Sequence, residues 1–226
     1  MEKKVIFWDF DGTLVRKNTS FLTSLMEAAE EQDLKPEKSL CREFLQGACS
    51  WNHPQEAYIE KTGELWWREL LKKTEAFLEA QGLPPETCRS ICEGFRYRAV
   101  SYDYSLYADA KAALTLARNQ GYENYILSNN FPELSHTVKN LGLSDFLSGC
   151  LLSSVLGYEK PRKEIFRKAL ELAGNPKRAI MVGDNPVADI EGAAAAGLKT
   201  VQVHGESPSP KADHFFKSLL EIREIL

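Results

Sequence analysis

The sequence predicts an α/β protein with a parallel sheet, helices on both faces of the sheet, and a separate helical insert. Three observations lead to this fold class. A short apolar strand at residues 5–8 runs into a cluster of acids, helix-like and strand-like segments alternate after about residue 104, and the block between them has helical spacing only. Strands joined by helices predict a parallel sheet that is buried on both faces.

The first strand ends at the segment Asp9-Phe10-Asp11-Gly12-Thr13. Because strand side chains alternate with a period of two, Asp9 and Asp11 should leave on the same face, and Gly12 permits a sharp turn after them. Two carboxylates this close raise each other's pKa or require a cation. An isolated segment of this type is also typical of a solvated turn, so the rest of the chain decides between these interpretations.

The insert follows the first strand. Its apolar residues recur at intervals of three and four, as expected for helices, and a break at 82–85 separates one helix from the next. We therefore predict an all-helical unit at 17–98 and an α/β core at 1–16 and 99–226.

The second half of the chain alternates between helices and strands. Gly and Pro residues mark the ends of several elements. The predicted helices are 108–120, 134–141, 161–172, 186–197 and 213–226, and the predicted strands are 124–127, 150–154, 179–182 and, last in the chain, 200–203.

The composition excludes two classes of partner. With 28 basic and 32 acidic residues, the formal net charge is −4, so the basic excess typical of nucleic-acid binding is missing. No apolar run reaches the roughly 20 residues needed to span a bilayer. We expect a cytoplasmic protein that binds neither nucleic acid nor membrane, and its oligomeric state stays open.

Polar clusters follow three of the predicted core strands: Asp9 with Asp11, Ser128 with Asn129, and Asp184. Taken singly, Ser128 or Asp184 is explained as a helix cap. In an open parallel sheet, however, ligands bind outside the carboxyl ends of the strands. Together with Lys160, which follows in a loop, these clusters supply the groups that hold a hard divalent cation beside a phosphoryl group.

The segments Asp9-Phe10-Asp11-Gly12-Thr13, Ser128-Asn129, Lys160-Pro161 and Gly183-Asp184-Asn185 resemble the four ordered motifs of the haloacid dehalogenase-like superfamily. The resemblance covers residues 4–15 and the chain from about 101 onward. It implies a Rossmann-like sheet, Mg²⁺ dependence and a covalent aspartyl intermediate. It also implies that the helical insert is a cap domain.

Carried over to this chain, the resemblance makes Asp9 the nucleophile and Asp11 the general acid and base. Asp9, the main-chain carbonyl of Asp11 and the side chain of Asp184 are the implied Mg²⁺ ligands. Asp189 is a further candidate, either for the metal or for supporting its ligands. The implied activity is a phosphatase acting on a small phosphorylated metabolite.

The same resemblance assigns the phosphate-binding groups. Ser128, Asn129 and Lys160 are implied to hold the phosphoryl oxygens, with Lys160 offsetting negative charge. The chain departs from the family at Ala108-Asp109, where a Pro-Gly pair is frequent, and at Asn130, where a small residue is frequent. We expect neither departure to touch the chemistry, although Asn130 can shape the entrance to the site.

Several alternatives stay open. A phosphomutase uses the same aspartyl intermediate, and a phosphonate-cleaving enzyme needs a lysine from the cap, for which Lys61, Lys72 and Lys73 are the candidates. A dehalogenase of this fold resembles the first motif with its second acid replaced, whereas Asp11 is present here. A binding module without activity would be expected to lack a motif residue, and none is missing.

Overall fold

A computed structural model of the chain describes residues 2–226. Its sheet has six parallel strands in the order β3-β2-β1-β4-β5-β6. The strands are β1 (Lys4–Trp8), β2 (Tyr122–Ser128), β3 (Gly149–Leu152), β4 (Arg178–Gly183), β5 (Lys199–Val203) and β6 (His214–Phe216). This is the order of the Rossmann fold, and the strand order reverses beside β1, which is where such sheets bind ligands.

Four helices follow β1 in the part of the chain predicted as the insert. They are α1 (Ser20–Glu30), α2 (Lys38–Ala48), α3 (Glu64–Ala80) and α4 (Pro85–Val100), with a 3₁₀ turn at Ser50–Asn52. The helices of the core are α5 (Ala110–Asn119), α6 (Leu134–Asn140), α7 (Ser153–Leu156), α8 (Lys163–Leu172) and α9 (Gly192–Ala195). A π-helical turn at Pro186–Glu191 leads directly into α9.

The central strand β1 is buried on both faces, as a parallel sheet between helix layers requires. Ile6 and Trp8 pack in a large cluster with α5 and the insert helices, while Val5 and Phe7 pack on the opposite face with α8. All four side chains are fully buried. Because alternate side chains face opposite sides of the sheet and both sides are covered, every residue of this strand segment must be apolar. The predicted α/β fold with helices on both faces of the sheet is confirmed.

The carboxyl-terminal segment was predicted wrongly. Residues 213–226 are not one helix: β6 pairs in parallel with β5, and a 3₁₀ helix follows at Leu219–Glu224. Ser218 stops any continuous helix, because it forms a capping box with Glu221 and so fixes a new helix start. Consequently β5 is not the last strand.

Two smaller differences concern the loops that carry site residues. The predicted strand 150–154 ends at Leu152, and Ser153 opens α7 instead. The predicted helix at 186–197 begins as the π-helical turn rather than as an α-helix. Within residues 2–226, no helix has both the length and the apolar composition to cross a bilayer.

Candidate active site

Three strand ends meet at the carboxyl edge of the sheet. β1 lies between β2 and β4, with Trp8 in register with Ile126 on one side and Val182 on the other. Asp9 directly follows β1, and its N–H donates to the carbonyl of Val182 at 2.9 Å. Ser128 is the last residue of β2, and Asp184 follows β4. The sheet topology therefore brings together clusters that are more than fifty residues apart in sequence.

A cleft of about 540 Å³ opens at this edge. That size is typical of small-molecule sites. Its walls include every residue predicted for the site, together with Asp189: Asp9, Asp11, Ser128, Asn129, Lys160, Asp184 and Asp189.

Lys160 forms the charged centre of the cleft. Its ammonium nitrogen lies 2.7 Å from Oδ1 of Asp9, 2.5 Å from Oδ1 of Asp189 and 2.9 Å from the carbonyl oxygen of Leu127. Burial alone would lower the pKa of Lys160, but the two carboxylates more than reverse this effect and raise it. The side chain is therefore a cation fixed against Asp9.

Three carboxylates converge beside this lysine. One oxygen from each of Asp9, Asp184 and Asp189 lies within 4.8 Å of the others. Burial and the charge of Asp9 raise the pKa of Asp184, and burial also raises the pKa of Asp189 against the opposing charge of Lys160. Hard oxygen ligands grouped in this way fit a divalent cation such as Mg²⁺.

The oxygens of Asp189 are already engaged within the protein. Oδ1 accepts a hydrogen bond from the ammonium of Lys160, and Oδ2 accepts one from the N–H of Asn185 at 3.0 Å. Oδ2 of Asp184 pairs with the exposed ammonium of Lys17 at 2.9 Å, and Oδ1 accepts a long hydrogen bond from the Thr13 hydroxyl at 3.5 Å. Asp184 thus already faces one cation that reaches in from the surface, whereas Asp189 is held by the buried Lys160 and a main-chain N–H.

Gly12 leaves the space in which Asp184 sits. Its φ of +80° lies in the left-handed region, and a Cβ at this position would come within 2.6 Å of Oδ2 of Asp184. Only glycine combines this backbone conformation with so close an approach. The turn after Asp11 therefore depends on Gly12 in two independent ways.

Asp11 accepts hydrogen bonds on both carboxylate oxygens. Asn18 Nδ2 donates to Oδ1 at 2.5 Å, and Asn130 Nδ2 donates to Oδ2 at 2.6 Å. Burial raises the pKa of Asp11 to about 6, although these two hydrogen bonds lower it. The expectation that Asn130 does not touch the chemistry is therefore wrong, because its amide contacts the predicted acid and base.

Asn129 contacts the main chain of Lys160 rather than open space. Its Oδ1 accepts the N–H of Lys160 at 2.7 Å, and its Nδ2 donates to the carbonyl of Lys160 at 3.0 Å. The peptide bond between Lys160 and Pro161 is cis. Both ends of the Asn129 amide are thus used to hold the loop that carries Lys160.

Sequence reasoning missed the residues that close the cleft from the insert side. Phe21 on α1 and Trp51 in the 3₁₀ turn both line it, with their rings in edge-to-face contact. Asn18, in the segment that leads into α1, was missed as well. Its position near the start of the predicted helical unit was a detectable signal, because asparagine commonly binds the backbone two residues on, as it does here with Ser20.

A second cavity of about 430 Å³ lies within the insert, next to Ser50, Tyr58 and Trp66. None of the predicted site residues lines it. Lys61 and Lys73 line this second cavity, and Lys72 lines neither. The three lysines considered for phosphonate chemistry are therefore absent from the walls of the first cleft.

Comparison with known proteins places these features in a family. The curated phosphoserine phosphatase of Thermus thermophilus is 40% identical over 129 residues, which is 56% of this chain and 51% of that protein. The haloacid dehalogenase-like hydrolase domain-containing protein 3 of Homo sapiens is 25% identical over 213 residues. The aligned region is 91% of this chain and 83% of that protein. The chain spans about half the length of the phosphatase that it matches.

Solved structures share the fold. The HAD-hydrolase YfnB from Bacillus subtilis, bound to magnesium, has a TM-score of 0.74 at 20% identity, with 100% of this chain and 99% of that chain covered. The 2-haloacid dehalogenase from Pseudomonas syringae has a TM-score of 0.72 at 20% identity, with 98% and 97% covered. A family model described as haloacid dehalogenase-like hydrolase matches residues 3–197. The chain therefore belongs to the haloacid dehalogenase-like hydrolases.

Proposed function

We propose that this hydrolase is a Mg²⁺-dependent phosphatase that cleaves a small phosphomonoester through an aspartyl-phosphate on Asp9. The observation that supports it most directly is the buried contact of 2.7 Å between Lys160 and Asp9, beside the carboxylate of Asp184 and with Asp11 in the same cleft. Phosphoryl transfer needs fixed positive charge against the phosphoryl oxygens and a positioned nucleophile. In this cleft Lys160 supplies the charge and Asp9 the nucleophile.

Asp9, Asp184 and the main-chain carbonyl of Asp11 are the groups that would hold Mg²⁺. When bound, the ion supplies positive charge that offsets the charge of the phosphoryl group. We propose that Asp189 holds Lys160 and does not bind the metal, because both carboxylate oxygens of Asp189 accept hydrogen bonds from the protein. In this arrangement Asp189 fixes the ammonium group of Lys160.

In the first half of the proposed reaction, a carboxylate oxygen of Asp9 bonds to phosphorus as the bond to the leaving oxygen breaks. Asp11 gives its proton to that leaving oxygen. A pKa of about 6 suits this role, since roughly a tenth of Asp11 is protonated at pH 7, far more than at its ordinary pKa of 3.8.

In the second half, Asp11 is a carboxylate and takes a proton from water. The water oxygen bonds to phosphorus, and the bond between phosphorus and Asp9 breaks. Inorganic phosphate leaves, and Asp9 and Asp11 return to their starting states. Dividing the hydrolysis in this way replaces one difficult displacement by two easier ones.

The remaining residues bind and orient the phosphate. Ser128 is at the end of β2 and lines the cleft, which supports assigning its hydroxyl to a phosphoryl oxygen. Lys160 adds a buried positive charge. Asn129 acts through Lys160, since its amide pairs with the lysine main chain at 2.7 and 3.0 Å.

The substrate side of the cleft is formed by the insert. We propose that 17–98 is a cap over a core of 1–16 and 99–226, and that Phe21 and Trp51 contact the leaving group. The similarity to the phosphoserine phosphatase of Thermus thermophilus supports a small phosphorylated metabolite as substrate. We propose a cytoplasmic location for such an enzyme.

Dehalogenation is the second candidate, because a structural neighbour at 20% identity carries that activity in its name. Asp11 argues against it. Displacement of halide requires no acid to protonate a leaving oxygen, yet here a second carboxylate is held at the site by two amides. Phosphonate cleavage is disfavoured, because none of its candidate lysines lines the cleft.

The test is phosphate release from 4-nitrophenyl phosphate and from a panel of phosphorylated sugars, nucleotides and small acids. We expect turnover with Mg²⁺, loss of turnover on chelation and recovery when Mg²⁺ is restored. Asp9→Asn should lose turnover while keeping its fold, because the change conserves volume and removes the nucleophile. Chloride release from a 2-chloro acid without any phosphate release, or activity of Asp9→Asn within tenfold of the parent, would contradict the proposal.

A further inference from the structure

Asn18 and Asn130 contact Asp11 in the same way from opposite sides. Asn18 lies in the segment that leads into α1. Asn130 lies in the loop after β2, 119 residues from Asp11 in the sequence. Each donates from Nδ2 to a different oxygen of the carboxylate, at 2.5 and 2.6 Å. Neither residue belongs to the motifs by which the family was recognised.

The backbone fixes which end of each amide faces Asp11. Oδ1 of Asn18 accepts the N–H of Ser20 at 3.0 Å, and Oδ1 of Asn130 accepts the N–H of Phe131 at 3.0 Å. An amide whose oxygen is bound to an N–H must present its NH₂ group at the other end. Flipping either amide would place two acceptors against each other, so both asparagines are locked as donors.

The surroundings of Asn130 add a further constraint. Its side chain is 4% exposed, and its own N–H donates to the hydroxyl of Ser153 at 3.1 Å. A buried amide with every polar group paired is rigid, because moving it would leave unsatisfied groups out of contact with water. Asn130 is therefore a fixed reference point for Asp11.

From this geometry we infer that Asn18 and Asn130 are positioning residues that together hold the Asp11 carboxylate for proton transfer. The inference rests on the proposed function of Asp11. A carboxylate bound at one oxygen can pivot about that contact, whereas one bound at both oxygens cannot. Because Asn18 also binds the start of α1, the position of Asp11 is tied to the first helix of the insert.

The test uses Asn18→Ser and Asn130→Ser. Serine can still accept the neighbouring N–H, but it is too short to reach Asp11 and carries no amide. Asn140→Ser, at the exposed end of α6, is the matched control for loss of an amide. Asn130→Asp is a second variant of equal size that keeps the acceptor and lacks the donor.

The readout exploits what Asp11 does in each half of the reaction. An alkyl phosphate needs a proton on its leaving oxygen, whereas 4-nitrophenyl phosphate does not. We expect kcat/KM to fall about tenfold to a hundredfold for the alkyl phosphate and much less for 4-nitrophenyl phosphate. With 4-nitrophenyl phosphate, phosphoenzyme should accumulate and be seen by intact mass, because water activation is slowed.

Two results would overturn the inference. One is activity within twofold of the parent on both substrates in Asn18→Ser and Asn130→Ser. The other is an equal loss on both substrates without phosphoenzyme, which indicates general damage to the fold. The proposed function is judged separately, since it fails only if the parent releases no phosphate or if Asp9→Asn retains activity.

Discussion

The ammonium nitrogen of Lys160 lies 2.7 Å from Oδ1 of Asp9, and both side chains are almost completely buried. The lysine simultaneously pairs with Asp189 at 2.5 Å. A buried pair of this kind is strongly destabilised when one partner is removed, because the remaining charge loses its compensation. The contact therefore links the chemistry of the site to the stability of the fold.

Lys160→Met should lose phosphatase activity and unfold more easily. The variant leaves Asp9 and Asp189 facing each other without their cation, so we expect the free energy of unfolding to fall by about 3–5 kcal/mol. Mg²⁺ should restore part of that loss, since it binds the folded state. Thermal unfolding with and without Mg²⁺ measures both effects. Lys163→Met, at an exposed position three residues away, is the control and should behave like the parent.

Asp11→Asn should slow turnover and trap phosphoenzyme. Asp9 remains able to attack an activated aryl phosphate, but no carboxylate is left to accept a proton from water. Mixing with 4-nitrophenyl phosphate should release nitrophenol in a burst, and intact mass should show the phosphorylated chain. Steady turnover at the parent rate, with no phosphorylated species, would remove Asp11 from the mechanism.

Gly12→Ala should disrupt the proposed Mg²⁺ site. The added Cβ would lie 2.6 Å from Oδ2 of Asp184, and a φ of +80° is unfavourable for alanine. We expect Asp184 to be displaced and Mg²⁺ binding, measured by calorimetry, to weaken at least tenfold.

Gly47→Ala is the matched control for this substitution. Gly47 lies in α2, and no atom comes within 4 Å of a Cβ built there. Alanine is favoured over glycine in a helix by about 0.5–1 kcal/mol, so this variant should be slightly more stable and bind Mg²⁺ normally. Equal Mg²⁺ affinity in the two variants would refute the role given to Gly12.

The sheet could be predicted because its signals are local. A few neighbouring residues are enough to identify each of the strands that end near Asp9, Ser128 and Asp184. The parallel topology then brings the ends of these strands together. β6 could not be predicted in this way. It has only three residues. Its pairing with β5 is supported by tertiary contacts, such as the hydrogen bond that the N–H of Thr200 donates to Asp213 at 2.9 Å.

The contacts of Asp11 show a second limit. Asn130 was visible as a departure from the family pattern, but its distance to Asp11 depends on where the loop after β2 is held. That loop is fixed partly by the hydrogen bond from the Asn130 N–H to Ser153, a residue whose place at the start of α7 was itself mispredicted. Side-chain reach across strands is a tertiary property that spacing along the chain does not encode.

Glu159 connects Ser50 and Tyr58 to the loop that carries Lys160. It is fully buried beside Lys160, and its Oε1 accepts hydrogen bonds from the hydroxyls of Ser50, at 2.6 Å, and Tyr58. Oε2 has no hydrogen-bond partner among the described residues. Burial therefore raises the pKa of Glu159 above its ordinary value of 4.5, although the hydroxyl contacts lower it.

A raised pKa means that the folded state binds this proton more tightly than the unfolded chain does. The stabilisation from Glu159 is therefore complete below pH 4.5 and declines as pH rises toward its folded pKa. Glu159→Gln removes this titration, so the stability of the variant relative to the parent should increase with pH, by at most about 1.4 kcal/mol per unit. Denaturant unfolding at several pH values between 5 and 8 measures the trend, with the exposed Glu43→Gln as control. Only a group whose pKa changes on folding makes stability depend on pH. If the difference in unfolding free energy between Glu159→Gln and the parent stays constant over this range, the pKa of Glu159 is not raised in the folded state.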